Sequence, residues 1–173
     1  MNFLLRFTSE YVASEDRFRL NSVTKDQSEL ALWVTQRVLV RLIRFFANWL
    51  DKTSPEVNKS TAIDSTERTR LQKIVQQSAR SEITRSKPIA VQSDSDSWLV
   101  SRIDIKANEK GARLTFKSED GQTAELVMTI KHLRQWLSIV HSLWRTAEWP
   151  MDVWPEWIEA AQSGESDSES PVH

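Results

Sequence analysis

Hydrophobic positions along the chain change period from two to that of a helix, and the change occurs twice. Asn2 to Val12 alternates loosely, with Phe3, Leu5 and Phe7 on one side, which predicts a half-buried strand. Ala13 to Asp16 turns the chain, and Arg17-Phe-Arg-Leu-Asn-Ser alternates charged or polar with apolar residues as a second strand does. Leu30, Leu32 and Val34 share one side of Glu29 to Val34, a third strand. Asp26 followed by Glu29 also resembles a capping box, and on that rival reading a helix starts before the third strand is complete. From Thr35 to Asp51 the period is helical, with Val38, Leu42, Phe45, Phe46, Trp49 and Leu50 on a broad apolar face.

The second half follows the same order. Trp98 to Asn108 carries Val100, Ile103 and Ile105; Glu109-Lys-Gly111 turns it; Ala112 to Ser118 alternates; Asp120-Gly121 turns again. Thr123 to Ile130, with Leu126, Met128 and Ile130 on one side, completes three antiparallel strands, and Lys131 to Thr146 is the following helix. This meander favours the strand reading of Glu29 to Val34. Sliding the chain on itself by 96 residues pairs Phe3 with Leu99, Phe7 with Ile103, Leu30 with Leu126, Leu32 with Met128 and Val34 with Ile130. A one-residue deletion after Val34 keeps the helices in phase, and Leu42 then meets Leu137, Phe45 meets Val140 and Trp49 meets Trp144. Identity is low, so duplication and repetition of a common pattern both remain open.

The fold class predicted is α+β: two similar units of three antiparallel strands followed by a helix, joined by a helical linker. The first unit spans 1–52. The linker, 53–97, holds a connector with Ser54-Pro55, a helix of about 64–81 opened by Asp64 and Glu67, and a flexible Ser- and Asp-rich loop. The second unit, 98–163, ends in a tryptophan-rich segment broken by Pro150 and Pro155, and 164–173 is an acidic tail expected to be disordered. Leu42, Phe45, Leu137 and Val140 are the expected core of the two helices.

Composition narrows the chemistry. In 173 residues, 23 basic side chains meet 24 acidic ones, so no global field drives the chain onto nucleic acid or an anionic membrane. Cysteine is absent, which removes thiolate chemistry and disulfides and fits a reducing, cytoplasmic location. Arg6 interrupts the first apolar run and no small-residue cleavage site follows, so no signal peptide is expected. The longest apolar helix carries Arg37, Arg41 and Arg44 and is no ordinary membrane span. His132 and His141 are nine residues apart on one helix, not the i, i+4 pair that chelates a metal. No Ser-His-Asp arrangement or acidic pair has a motif around it, so no catalytic residue, metal ligand or cofactor is predicted.

Two constellations remain. Arg37, Arg41 and Arg44, spaced i, i+4, i+7, form a basic stripe that is either a solvated helix face or an anion-binding surface, and Arg68, Arg70, Lys73 and Arg80 add basic residues on the linker helix. Trp149, Trp154 and Trp157, with Leu71, Ile74 and Val75 of the linker helix, either latch onto the chain's own core or dock on a partner. The function expected is a non-enzymatic protein-interaction module, an adaptor or assembly subunit that forms a homodimer or binds a protein partner. The alternatives are a nucleic-acid-binding accessory protein using the arginine stripe and an enzyme whose site is assembled from scattered residues.

Overall fold

The computed structural model describes residues 1–54 and 64–163. Most of the predicted connector and all of the predicted disordered tail, 164–173, lie outside the described residues. Strands β1 (Asn2–Val12), β2 (Arg17–Thr24) and β3 (Glu29–Val34) lead into helix α1 (Gln36–Thr53), and α2 (Ser65–Ser81) follows. Strands β4 (Asp96–Leu99), β5 (Arg102–Asn108), β6 (Gly111–Lys117) and β7 (Thr123–Thr129) lead into α3 (Ile130–Thr146), a 3-10 turn at Met151–Val153 and α4 (Glu156–Ser163).

Local chemistry sets these boundaries. Asp26 does not cap a helix: its carboxylate accepts from the hydroxyls of Thr24 and Ser28, and Gln27 takes φ of 66°, so the segment turns and Glu29 begins a strand. The actual caps are Thr35 and Thr129, whose hydroxyls accept from the Val38 and His132 amides, and Asp64, which accepts from Glu67. Gly111 permits a close approach, since a Cβ there would sit 2.1 Å from the Met128 carbonyl oxygen.

The seven strands form one mixed sheet in the order β4-β3-β2-β1-β7-β6-β5. β1 and β7 run parallel, as do β3 and β4, and the remaining neighbours are antiparallel. β4 and β5 stand at opposite ends of this order yet are joined by Val100 and Ser101 alone. The Val100 amide donates to Trp33 on β3 at 2.8 Å and the Ser101 amide donates to Lys117 on β6 at 2.8 Å. The chain thus passes from one sheet edge to the other within two residues, and the sheet curls so that its two edge strands follow one another directly in sequence.

Strand register differs from the sequence expectation. Phe18, Leu20 and Ser22 face Val34, Leu32 and Leu30, and Ala112, Leu114 and Phe116 face Met128, Leu126 and Ala124. Corresponding positions are 94 apart (128 − 34), and the caps Thr35 and Thr129 keep that offset. In the preceding strands the offset is 96: Ser9 faces Leu20, whereas Ile105 faces Leu114. The difference of two is the shorter second hairpin, which leaves residues 109–110 unpaired against 13–16 in the first. Leu30, Leu32 and Val34 therefore occupy the places of Ala124, Leu126 and Met128, and Ile130 is the first helical residue rather than the last strand residue.

The inner face of the sheet and helices α1 and α3 share one core. α1 buries Leu39, Leu42, Ile43, Phe46 and Leu50; α3 buries Leu133, Trp136, Leu137, Val140 and Trp144 at the same offset. Leu42, Leu137 and Val140 are buried as expected, but Phe45 is 41% exposed. The α1 face is centred on Phe46, and the aromatic pair Phe45-Phe46 placed two equally apolar candidates on adjacent, non-equivalent positions. Residues 82–95 do not hang free either. Ile89 donates its amide to the Thr8 hydroxyl at 3.2 Å, and Glu29 accepts from the Gln92 amide and the Ser95 hydroxyl, so this segment crosses the strands to reach β4.

Candidate functional site

The helices meet around a buried polar network. Arg134, Ser138 and His141 lie on α3 at i, i+4, i+7, and Gln72, Gln76 and Ala79 follow the same spacing on α2; all six are buried. One guanidinium nitrogen of Arg134 donates to Ser54 Oγ at 2.7 Å and Gln72 Oε1 at 2.6 Å, and the other donates to Gln76 Oε1 at 3.3 Å. The amide nitrogens of the glutamines continue outward: Gln76 donates to the Arg134 carbonyl and to Ser138 Oγ, both at 2.8 Å, and Gln72 to the Leu50 carbonyl at 2.9 Å. Trp157 lies against the cation, with its ring centroid 5.4 Å from the Arg134 carbon Cζ. Asp51 flanks the cluster. Burial pushes its carboxyl above the usual range, and the Trp157 indole with the Arg68 and Arg134 guanidiniums pulls partly back.

This network turns α2 over relative to expectation. Its inward side is glutamine, because a guanidinium removed from water needs acceptors. Ile74 looks outward at 47% exposed, Leu71 and Val75 are half-buried, and Ala79 is buried beside the glutamines. The added basic residues of α2 do not form a patch. Arg68 donates to the Asp51 carbonyl, Arg70 pairs with Glu67, and Arg80 donates to the carbonyls of Ala161 and Gln162 at the end of α4.

Trp149, Trp154 and Trp157 are inside. Trp149 stacks on Phe18 with centroids 5.2 Å apart, meets Trp144 edge-on at 4.8 Å, and donates to Asp16 at 2.8 Å. Asp16 also accepts from the Tyr11 hydroxyl, and the two hydrogen bonds lower its pKa while holding the β1–β2 turn. Trp154 packs edge-on against Trp144 and His141. A partner would have to displace this packing to reach any of the three rings.

His132 is exposed and His141 buried, so the two do not converge. His141 Nε2 lies 2.8 Å from Glu159, and burial lowers its pKa below the ordinary value although Glu159 pulls the other way. The unfolded chain therefore binds the proton more readily than the folded one, and stability falls as pH drops below about 6.5, the unfolded imidazole value. His141→Gln should remove that part of the pH dependence in urea titrations at pH 7.5 and 5.5; an unchanged slope would mean that other groups carry it.

Among the described residues no group of three His, Asp or Glu side chains could hold a metal ion. A depression of about 380 Å³ is lined by Ser101, Arg102, Lys117, Ser118, Gln122 and Thr123. No family model, no curated protein and no solved structure matches the chain. Arg37, Arg41 and Arg44 are exposed, and none of them makes an ion pair or side-chain hydrogen bond among the described residues. On the sheet, Phe3, Leu5 and Val127 are 45%, 57% and 62% exposed. Phe3 pairs with Glu125 across the parallel β1–β7 seam, and Leu5 and Val127 each lie two residues further along their own strands. The register break between Leu4 and Arg6 leaves Leu5 and Arg6 both exposed. Alternation put Phe3, Leu5 and Phe7 on one side of a half-buried strand; Leu4 is the residue that enters the core, and the irregularity has no one-dimensional signature.

Proposed function

We propose that the protein is a non-enzymatic protein-interaction module of the cytoplasm that self-associates through the outer β1–β7 seam. The observation that carries this reading is the exposure of Phe3, Leu5 and Val127 on the neighbouring strands β1 and β7. The rim holds both signs, with Arg6, Lys25 and Asp26 exposed and Arg113 paired to Glu125, so a second copy placed by a two-fold axis can match like surfaces with opposite charges. The lack of cysteine supports a reducing compartment. No described helix is long and apolar enough to cross a membrane.

The two halves are also read as copies of one unit. Support comes from the constant offset of 94 through β2, β3, α1 and their counterparts, from matched threonine caps, and from parallel seams joining the first strand of each half to the third of the other.

Sedimentation velocity tests the functional reading. Wild type should sediment as a dimer, and Leu5→Asp with Val127→Asp as a monomer with unchanged far-ultraviolet circular dichroism. A monomeric wild type, or a variant that stays dimeric, removes the patch as the association surface.

A further inference from the structure

We propose that the outer face of α1 binds single-stranded nucleic acid, with Arg37, Arg41 and Arg44 on the phosphates and Phe45 stacked on a base. The three arginines lie on one side of the helix and span about 10 Å of rise at 1.5 Å per residue. They are exposed and not engaged by acidic side chains among the described residues. Phe45 follows Arg44 directly and is 41% exposed, and Trp49, one turn further on, is half-buried at the border of the same face. Cations beside a ring that water can reach suit a sequence-tolerant strand-binding surface: guanidinium forks for the backbone and a π-face for the base.

Charge and geometry favour this occupant over others that cations attract. A membrane-surface helix inserts its apolar face into lipid. Here the apolar face, Leu39, Leu42, Ile43, Phe46 and Leu50, is committed to the core, and only the polar side with its one well-exposed ring is presented. An acidic polypeptide would satisfy the arginines, whereas a nucleotide strand sets a flat π-face for Phe45 beside every phosphate. The site lies on a helix rather than on the β1–β7 seam, so it does not depend on self-association there.

Fluorescence anisotropy of the full chain with a labelled 20-nucleotide oligothymidine tests the site, with polyglutamate and phosphatidylserine vesicles as competitors. Affinity should fall with salt, with a log–log slope of about −2 for three contacts at about −0.7 each. Arg41→Glu with Arg44→Glu should weaken binding by about tenfold or more, and Phe45→Ala by about fivefold or more, the loss of one stacked base. Arg44→Gln serves as a milder second variant, and circular dichroism checks folding of all three. Wild type that does not bind oligothymidine, variants that bind it as wild type does, or equal competition by polyglutamate or vesicles would overturn the proposal.

Discussion

Arg134→Met should destabilise the protein by about 3–5 kcal/mol in a urea titration, far more than a surface arginine change, which is usually within about 0.5 kcal/mol. The methionine fills much of the volume, so the loss is one of hydrogen bonding rather than packing. Removing the guanidinium takes the short donor from Gln72 Oε1 and Ser54 Oγ, which keep only their mutual contacts at 3.5 and 3.4 Å, and leaves Gln76 Oε1 without its donor; each stranded buried acceptor costs about 1–3 kcal/mol. The glutamines are aligned by the arginine, so the losses do not add. Gln72→Met in the Arg134→Met background should cost less than Gln72→Met alone, a coupling of about 1 kcal/mol or more in a double-mutant cycle. A loss below about 1 kcal/mol for Arg134→Met would show that water reaches these groups and that α2 is held by other contacts.

Phe46→Ala should cost about 3–5 kcal/mol and Phe45→Ala less than about 1 kcal/mol. The two residues are adjacent and identical in chemistry, and they touch edge-on with centroids 5.5 Å apart. Phe46 is fully buried and meets Trp49, whereas Phe45 has water on one side. Urea titrations of the pair with the denaturant slope unchanged would check the face assignment; equal losses would place both rings in the core.

Pattern in the sequence reached the elements but not how they close. Alternation and turn residues located six of the seven strands, because inward residues such as Phe18, Leu20, Leu114 and Phe116 are separated by polar ones. β4 was merged with β5, since the exchange of partners at Val100 and Ser101 is a property of the curled sheet and leaves no mark on the local pattern. Phe3 and Leu5 were misplaced for a similar reason: one irregularity reverses which side of a strand faces inward. The buried network was missed because Arg134 and Gln72 look like ordinary polar positions on helices. A signal was present in the matching i, i+4, i+7 series of Arg134, Ser138, His141 and Gln72, Gln76, Ala79, which border the apolar face of α3 and define the inner side of α2. Reading it required knowing that the two helices touch.

The tryptophans illustrate the opposite case. Their crowding near the end of the chain was plain, and both a latch and a docking surface were consistent with it. Partners decided between them: Trp149 is held by Phe18, Trp144 and Asp16, residues far apart in sequence that only the fold assembles.

Absence of cysteine makes one measurement direct. Lys25→Cys, at the rim of the Phe3–Leu5–Val127 surface, and Ser78→Cys, on the exposed side of α2, each introduce a single thiol for a nitroxide label. Pulsed dipolar spectroscopy on the labelled full-length chain should give a defined intermolecular distance at Lys25 that is shorter than any at Ser78, and it should vanish when Leu5→Asp and Val127→Asp are added. No intermolecular coupling at Lys25, or a shorter distance at Ser78, would contradict self-association through the β1–β7 seam.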